Sequence, residues 1–436
     1  MKGACMTSLR KLLLALLVLC LLLSQVAVGD DSQTEDEGGY QEIELFTDVL
    51  AIIHRSYVEE VDIRNLIYGG IRGMLATLDP HSSFLTPELY EEMQADTHGE
   101  FGGIGIEVTL EKGILSVVSP IEGTPAQRAG IKARDQIVAI DGTPTQDLNL
   151  MEAVRLMRGP SGEKILLGIR RDGEEKLLEF ELTREVIQIH SISGKTLEPG
   201  YAYARISQFQ ERTGDELKRL LSQLRLENQD QLKGVIVDLR NNPGGLLDQA
   251  VAVSDLFLSS GLIVYTEGRE ASSQLRFQAS SDGTEPDYPL ILLINEGSAS
   301  ASEIVAGALH DHGRALLLGE RTFGKGSVQT IIPLSDHSGL RLTTARYFTP
   351  SGVSIQARGI APDIEVPTLE LPENAQSHYR EKDLANHFEP NGETGKSSGS
   401  QLTAEERKDF QLMRALDLLK GLDYLKPRIL PQKTAA

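Results

Sequence analysis

Three serines alternate with alanines in the segment Ser298–Ser302, which follows an apolar run that ends at Ile294. The apolar run predicts a buried strand, and the residues from Ala301 onward predict a helix. A helix N-terminus favours developing negative charge, and a serine at such a junction is exposed at the edge of the sheet. The junction could hold a serine nucleophile, but these residues taken alone favour an ordinary N-cap in a turn rich in serine and alanine.

A serine nucleophile needs a base close to it, and histidine is the first candidate. His310 follows Ser300 by ten residues, which corresponds to about three turns along the predicted helix. We therefore expect His310 to lie far from the start of the helix. The second candidate is Lys325, which has a glycine on each side. A lysine must be buried among apolar groups to act as a base near neutral pH.

The glycines around Lys325 also come close to the pattern of a phosphate-binding loop. Gly319, Gly324 and Lys325 have the required spacing, but Gly326 occupies the position where Ser or Thr binds magnesium. Residues 328–334 predict a strand, whereas a phosphate-binding loop is followed by a helix. We therefore expect no nucleotide site.

A glycine-rich turn forms the third feature with chemical potential. The strand predicted to end near Asp238 is followed by the sequence Leu-Arg-Asn-Asn-Pro and then by Gly244 and Gly245, before a predicted helix. Such a turn can supply a backbone donor for an oxyanion. A plain connection between a strand and a helix explains the same residues.

Strands and helices alternate between residues 201 and 366, which predicts a largely parallel sheet covered by helices. Buried strands are predicted at residues 234–239, 290–294 and 315–319, and helices at residues 246–258 and 301–310.

Residues 99–184 have a different character. Short predicted strands alternate there with turn signals, among them Asp141-Gly142 and Asp172-Gly173. Residues 148–157 predict one amphipathic helix. These features predict a compact module. Apolar residues at helical spacing also predict helices near both ends of the chain.

The N-terminus has the features of an export signal. Lys2, Arg10 and Lys11 precede an apolar run at residues 12–23, and Ala27-Val28-Gly29 offers a small-residue cleavage site. An uncleaved membrane anchor is the alternative, because the apolar stretch approaches the length of a spanning helix.

Composition excludes several other classes of function. The chain has 436 residues and a formal net charge of −20, so it lacks the basic bias of a nucleic-acid-binding protein. Its two cysteines, Cys5 and Cys20, both lie in the leader. The chain after the leader therefore has no disulfide framework, no cysteine-ligated zinc and no thiol nucleophile.

Together these segments resemble the carboxyl-terminal processing proteases, also called tail-specific proteases. The resemblance covers nearly the whole mature chain and rests on residues 238–245, 297–303, 323–329 and 349–356, with residues 78–82 matching the N-terminal region of the family. It implies an α/β protease core with an inserted PDZ domain and helical N- and C-terminal elements.

The resemblance also implies a division of the chain. We expect a signal peptide at residues 1–29, an N-terminal helical region at 30–98, a PDZ domain at 99–186, a serine/lysine protease core at 187–368, and a flexible segment with a C-terminal helical region at 369–436.

On the same resemblance, Ser300 is the nucleophile, Lys325 is the general base and Gln329 orients the lysine. The backbone amides of Gly245 and Ala301 are the expected oxyanion donors. The implied reaction is acyl transfer through a covalent acyl-enzyme, with no cofactor.

The PDZ resemblance implies a peptide site. The residues that match the loop binding a terminal carboxylate are Gly103, Ile104, Gly105 and Ile106. Successive exposed N–H groups form an anion-binding nest, and the adjacent strand edge pairs with an extended peptide. Arg158 is expected to contact the protease core and to take part in regulation.

We therefore expect an exported serine endopeptidase that recognises the C-termini of protein substrates and processes or degrades periplasmic or cell-envelope proteins. The expected partners are these substrates, further copies of the chain bound through the terminal helices, and an activating adaptor, but no nucleic acid. Two alternatives are a catalytically silent PDZ scaffold and a protease that stays latent until a partner binds.

Overall fold

The computed structural model describes residues 36–111, 113–270, 274–369 and 402–429. The predicted signal peptide lies outside these ranges, as do residues 370–401 of the predicted C-terminal region, which include its flexible segment. The chain divides into two compact units, residues 1–80 and residues 81–436. No helix in the described ranges is both long and apolar enough to cross a membrane.

Two helices make up the described part of the first unit, α1 (Asp36–Ser56) and α2 (Ile63–Ala76). Asp62 caps α2 by accepting a hydrogen bond of 2.9 Å from the backbone N–H of Arg64. The helices pack closely, since a Cβ added to Gly70 of α2 would lie 2.9 Å from the ring of Phe46 on α1.

The second unit begins with a short strand and a helix, β1 (Ser83–Leu85) and α3 (Pro87–His98). They are followed by the elements of the module, which are β2 (Glu100–Gly103), β3 (Ile106–Glu111), β4 (Ile114–Pro120), α4 (Pro125–Arg128), β5 (Gln136–Ile140), β6 (Thr143–Pro144), α5 (Leu150–Met157), β7 (Lys164–Arg170), β8 (Leu178–Thr183) and β9 (Glu185–Gln188).

The module is built on an antiparallel sheet of order β3-β4-β5-β7-β8, with β6 paired to β5. The hairpin predicted at Asp172-Gly173 joins β7 to β8, and Gly173 has a φ of 89°. Alternating residues of the strands, including Ile137, Leu167 and Ile169, are fully buried beneath α5 and form a separate core. A two-stranded sheet, β2 with β9, closes the two ends of the module against each other.

The remaining elements complete the second unit. They are β10 (Ile192–Glu198), β11 (Tyr201–Ile206), α6 (Thr213–Glu227), β12 (Gly234–Asp238), α7 (Leu247–Asp255), β13 (Gly261–Gly268), β14 (Arg276–Ala279), β15 (Leu290–Ile294), α8 (Ala301–Asp311), β16 (Leu316–Gly319), β17 (Ser327–Pro333), β18 (Gly339–Phe348), β19 (Ile364–Glu365), α9 (Ala404–Lys408) and α10 (Phe410–Ile429).

A six-stranded sheet of order β10-β11-β12-β15-β16-β19 forms the centre of this part, and all its pairings beyond β10 are parallel. Helices α6, α7 and α8 cover one face, while α10 covers the other with Leu412, Leu416 and Leu419. Because both faces are covered, β12 and β15 are buried along their whole length, as their continuous apolar sequences predict. The predicted α/β architecture is confirmed.

The sequence did not predict a second, antiparallel sheet of order β1-β18-β13-β14, with β17 paired to β18. This sheet brings Ser83 of β1 opposite Arg341 of β18. It also places β17, which directly follows Lys325, beside the same strand β18.

Candidate functional site

The structure separates the three alternating serines by their hydrogen bonds. Ser298 Oγ donates to the carbonyl oxygen of Leu239 at 2.8 Å, and Ser302 Oγ donates to that of Asn242 at 3.0 Å. Both serines are fully buried, whereas Ser300 retains 8% exposure. In the described part of the chain, Ser300 alone among the three has a hydroxyl that does not donate to a main-chain carbonyl. The hydroxyls of Ser298 and Ser302 are therefore committed to the main chain, whereas that of Ser300 is not.

Ser300 occupies an unusual backbone conformation at the N-terminus of α8, with φ 55° and ψ −112°. Positive φ values are uncommon for residues other than glycine and cost free energy unless the surroundings enforce them. This sharp bend joins the end of β15 to α8, so it presents the serine at the carboxyl edge of the parallel sheet, where open α/β sheets bind ligands. We refer to residues 295–300 as the serine turn.

The glycine turn, residues 241–245, lies directly against the serine turn. The Ala299 N–H donates to the Asn242 carbonyl at 3.0 Å. A Cβ added to Gly244 would lie 2.8 Å from the Cβ of Ser300 and 3.0 Å from the amide nitrogen of Ala301. Gly244 also has a φ of 104°, so both its conformation and the close approach of Ser300 require glycine.

The two expected oxyanion donors lie on these adjoining segments. Gly245 is exposed and has a φ of 142°, and an added Cβ would meet the carbonyl oxygen of Phe209 at 2.1 Å. The Phe209 N–H donates to Gly244, and the Leu246 N–H donates to Phe209, each at 2.9 Å. Neither the Gly245 nor the Ala301 amide donates to an acceptor elsewhere in the described ranges, so both are available to a ligand.

Glu303 joins the serine turn to the segment that carries Lys325, and this residue was not among the sequence candidates. We call residues 321–326 the lysine loop. Glu303 Oε2 accepts from the Ser300 N–H at 2.9 Å and from the Lys325 N–H at 2.8 Å. Its Oε1 accepts from the Gly324 N–H at 2.7 Å and from the Thr322 hydroxyl at 2.6 Å. The backbone nitrogens of Ser300 and Lys325 therefore lie within two hydrogen-bond lengths of each other.

This carboxylate is fully buried. Burial raises the pKa of Glu303 above its usual 4.5, while the hydrogen bonds from Thr322 and from the three backbone amides oppose that shift. A carboxylate with four donors around it and no solvent is a rigid junction, because each lost bond would leave a buried polar group unsatisfied.

Lys325 is partly buried, and its environment suits a proton acceptor. Burial is the main cause that lowers the pKa of Lys325 below 10.5, and the positive charge of Arg341 lowers it further, while Glu303 acts in the opposite direction. Within the described residues the Lys325 ammonium group has no hydrogen-bond or ion-pair partner. Its neutral form is therefore more accessible near neutral pH than that of an exposed lysine.

Arg341 is a second residue that sequence reasoning missed. It lies on β18, and its Nε donates to Ser83 Oγ on β1 at 3.0 Å. No local pattern relates Arg341 to Lys325, because the proximity arises only when β18 pairs with β17 and with β1. In contrast, Glu303 could have been found from the spacing of a capping box, Ser300 followed three residues later by a glutamate.

The structure also places the histidine candidate and the segment that is similar to a phosphate-binding loop. His310 lies in the last turn of α8, about 15 Å along the axis from Ser300 at 1.5 Å per residue, and its Nε2 contacts Asp363 at 3.1 Å. A strand, β17, follows Lys325, as predicted, instead of the helix of a phosphate-binding loop. No group of three or more residues in the described ranges has the arrangement of a metal site.

Gln329 lies on β17, four residues after Lys325. Its Nε2 donates to Ser327 Oγ at 2.9 Å and to Thr343 Oγ1 at 3.4 Å. No hydrogen bond joins Gln329 to Lys325 in the part of the chain that the structure describes. The Gln329 amide is thus fixed at the base of the lysine loop by neighbours on β17 and β18.

The predicted carboxylate loop lies between β2 and β3. The Ile104 carbonyl accepts from the Ala126 N–H at 3.0 Å, and the Gly105 carbonyl accepts from the Ile121 N–H at 2.9 Å. Gly105 has a φ of 75°, and a Cβ there would lie 2.3 Å from the side chain of Thr124, so the position requires glycine. Gly103 ends β2, and Ile106 opens β3.

Arg158 ends α5, the helix of the module, and contacts the elements next to the module. One of its terminal nitrogens lies 3.7 Å from Glu92 on α3, and its guanidinium lies 4.6 Å from the ring centre of Phe101 on β2. The end of α3 in turn meets the segment that follows β11, since the Glu211 N–H donates to the Thr97 carbonyl at 3.2 Å. These contacts link Arg158 to that segment through α3.

Comparison with known proteins gives matches along most of the chain. The profile of Peptidase family S41 matches residues 200–366, a PDZ domain profile matches residues 116–171, and the activating protease CtpB N-terminal domain profile matches residues 23–88. The predicted PDZ domain is thereby confirmed.

Curated relatives are similar over much of their length. A carboxy-terminal-processing protease of Bartonella bacilliformis is 45% identical over 392 residues, covering 88% of this chain and 90% of that protein. A carboxyl-terminal-processing protease of Synechocystis sp. is 42% identical over 319 residues, covering 71% of this chain and 74% of that protein. A solved photosystem II D1 C-terminal processing protease is 31% identical, with a TM-score of 0.44 over 76% of this chain and 94% of that one.

Glu303→Gln tests the junction between the serine turn and the lysine loop. In either orientation the new amide group would face at least one backbone N–H, so we expect the free energy of unfolding to fall by about 2 kcal/mol. The measurement is urea denaturation. Glu296→Gln is the matched control, because Glu296 is exposed in the same turn. An unchanged unfolding midpoint for Glu303→Gln would show that the junction contributes nothing.

Arg341→Gln tests the electrostatic environment of Lys325. Removing this positive charge should raise the pKa of Lys325, so any reaction that needs the neutral lysine should require a higher pH. The acid limb of the kcat/KM profile should therefore move to higher pH. Arg341→Lys keeps the charge and should leave the limb nearly in place, and Arg346→Gln on the same strand is a further control. If the acid limb does not move in Arg341→Gln, the charge of Arg341 does not lower the pKa of the group that titrates.

Proposed function

Because the chain belongs to the carboxyl-terminal processing proteases of Peptidase family S41 and contains a PDZ domain, we propose that it is an exported serine endopeptidase with a Ser300–Lys325 dyad. The observation that carries this proposal is the bond pattern of Glu303. One buried carboxylate binds the backbone of the serine and of the lysine at once, and the pKa of that lysine is lowered by burial and by a neighbouring arginine.

The proposed reaction begins with proton transfer. Neutral Lys325 takes the proton of the Ser300 hydroxyl, and the serine oxygen attacks the carbonyl carbon of a peptide bond. The N–H groups of Gly245 and Ala301 stabilise the oxyanion that forms. The protonated lysine then gives its proton to the leaving amine, which departs and leaves an acyl-enzyme.

Hydrolysis of the acyl-enzyme completes the cycle. Lys325, neutral again, takes a proton from the attacking water as the water oxygen bonds to the acyl carbon. The resulting tetrahedral intermediate collapses by breaking the bond to Ser300 Oγ, and the lysine returns its proton to that oxygen, which releases the acid and restores the dyad. Gln329 has the proposed role of orienting the lysine. Its fixed position on β17 supports this role, because the strand begins two residues after Lys325.

We assign the capture of substrate C-termini to the loop of Gly103, Ile104, Gly105 and Ile106. Within the described ranges the Ile104 and Gly105 N–H groups have no acceptor, while both carbonyls are held by other residues. Free donors on a fixed backbone are suited to a carboxylate. The edge strand β3 and the apolar side chains of α5 would receive the preceding residues of the peptide.

The location and assembly of the protein belong to the same proposal. The leader supports export to the periplasm or cell envelope. The proposed division at residues 99–186 for the PDZ domain and 187–368 for the protease core contains the matched ranges of both families. Oligomerisation through the terminal helices is supported by exposed apolar residues on α1 and α10, such as Phe46 and Leu422.

Ser300→Ala and Lys325→Ala test the dyad directly. Each variant should lose at least about a thousandfold in kcat, since a nucleophile and its base act as a unit, while the unfolding midpoint stays near that of the wild type. The assay is cleavage of an unstructured protein followed by mass spectrometry. Substantial turnover by Lys325→Ala would eliminate the lysine as base. A wild-type chain without activity would favour the silent scaffold, or the latent protease if added adaptor restored cleavage.

Peptide binding tests the PDZ assignment separately from catalysis. We expect the Ser300→Ala chain to bind an apolar peptide with a free C-terminal carboxylate at least about tenfold more tightly than the same peptide with a C-terminal amide. Isothermal titration measures both affinities. Gly105→Ala should abolish the difference, because the loop cannot keep its conformation beside Thr124. Equal affinities for the two peptides would refute carboxylate recognition.

A further inference from the structure

Arg240 connects the start of the glycine turn with the C-terminal region. Arg240 immediately precedes the turn, and its side chain is 13% exposed. Its Nη2 lies 2.7 Å from a carboxylate oxygen of Asp238 and 2.7 Å from one of Asp409. Asp238 ends β12, whereas Asp409 lies between α9 and α10. Arg240 is thus clamped between the central sheet and a segment 169 residues further along the chain.

The inner side of the clamp fixes the main chain as it leaves β12. The fully buried Asp238 accepts from the backbone N–H and from the Nε of Arg240, each at 2.9 Å, through the same oxygen. One residue later, Asn241 has a φ of 56°, and its N–H donates to Asn295 Oδ1 at 2.8 Å. Arg240 is therefore the first fixed point of the main chain on its way from β12 to Gly245.

The outer side of the clamp comes entirely from the C-terminal region. Asp409 binds Arg240 through two parallel hydrogen bonds, Nη1 to Oδ1 at 2.9 Å and Nη2 to Oδ2 at 2.7 Å, the strong bidentate geometry. Gln411 Oε1 also accepts from Arg240 at 3.0 Å. Burial acts to raise the pKa of Asp409, but the hydrogen bonds from Arg240 and from the Leu412 N–H outweigh it and lower that pKa.

The carboxylate of Asp409 balances the charges around Arg240. Arg205 also approaches Asp238, at 3.4 Å, so two guanidinium groups and two carboxylates meet here. Without Asp409, two positive charges would share the single buried carboxylate of Asp238. Repulsion between the two guanidinium groups would then favour movement of the Arg240 side chain into solvent. The main chain just before the glycine turn would lose the contacts that hold it.

We propose that Asp409 is a positioning residue for the oxyanion donor Gly245, acting through Arg240, so that the C-terminal helices form part of the catalytic centre. This inference rests on the proposed function, because the position of the Gly245 N–H affects turnover only if that group binds the oxyanion. Oxyanion donors act in the transition state, and a small misplacement of such a group reduces the rate strongly.

Asp409→Asn isolates this role. Asparagine keeps an oxygen for the Leu412 N–H and is a good N-cap for α10, but it loses the charge and the bidentate fork. We expect kcat to fall about tenfold with KM for an unstructured protein substrate unchanged, since the lost interaction is made in the transition state. The acid limb of the pH profile should not move, because Lys325 is untouched.

Two further variants distinguish positioning from general loosening of the C-terminal region. Glu406→Gln breaks the 2.6 Å ion pair between α9 and Lys195 of β10, which does not contact Arg240, and kcat should stay within about twofold of the wild type. Arg240→Lys cannot bind both carboxylates. The double variant Arg240→Lys/Asp409→Asn should lose no more kcat than Arg240→Lys alone, because the two residues act as a unit.

Hydrogen exchange supplies a readout that does not depend on activity. In the full chain, the backbone amides that donate hydrogen bonds in and next to the glycine turn, those of Asn241, Asn242, Gly244 and Leu246, should exchange faster in Asp409→Asn than in the wild type, and not faster in Glu406→Gln. Unchanged exchange or unchanged kcat in Asp409→Asn would overturn the inference, as would an equal loss of kcat in Glu406→Gln. If the wild type and Ser300→Ala are equally inactive, the proposed function has failed, and the exchange result alone decides whether Asp409 positions the turn.

Discussion

The carboxylate of Glu303 is the point where the serine turn and the lysine loop meet. It is fully buried, and four donors from these two segments surround it. A buried carboxylate is tolerated only when hydrogen bonds replace its lost hydration. The same bonds therefore stabilise the charge and set the distance between the two segments. The positive φ of Ser300 is maintained for this reason, because its N–H is committed to Glu303.

Other parts of the molecule hold the surroundings of this junction. The glycine turn packs against Ser300 on one side and is anchored through Arg240 to the C-terminal helices on the other. The antiparallel sheet brings the positive charge of Arg341 near Lys325 and so lowers the pKa of that lysine further. The positions and charges around Ser300 and Lys325 are thus set by segments that range from strand β1 to the C-terminal helices.

The PDZ domain is closed by contacts between its own two ends, and helix α3 connects it with the core. Strands β2 and β9 pair at its two ends, and the N–H of Gly159, just after α5, donates to the Gly102 carbonyl at 3.1 Å. Helix α3 packs its C-terminal end against the loop that holds Phe209 in place next to Gly245, through the contact between His98 and Glu211 at 2.8 Å. A series of contacts therefore connects helix α5 with the glycine turn.

The sequence by itself determined the parallel sheet, its covering helices and the separate module at residues 99–184, because apolar periodicity and turn residues are local properties of the chain. The resemblance to a known family identified that module as a PDZ domain. It also supplied Ser300, Lys325 and the glycine turn as candidates. Only the tertiary structure decided that the hydroxyls of Ser298 and Ser302 are committed to Leu239 and Asn242. The parts played by Arg341 and Asp409 likewise depend on strand pairing and helix docking between distant segments, which no local pattern records.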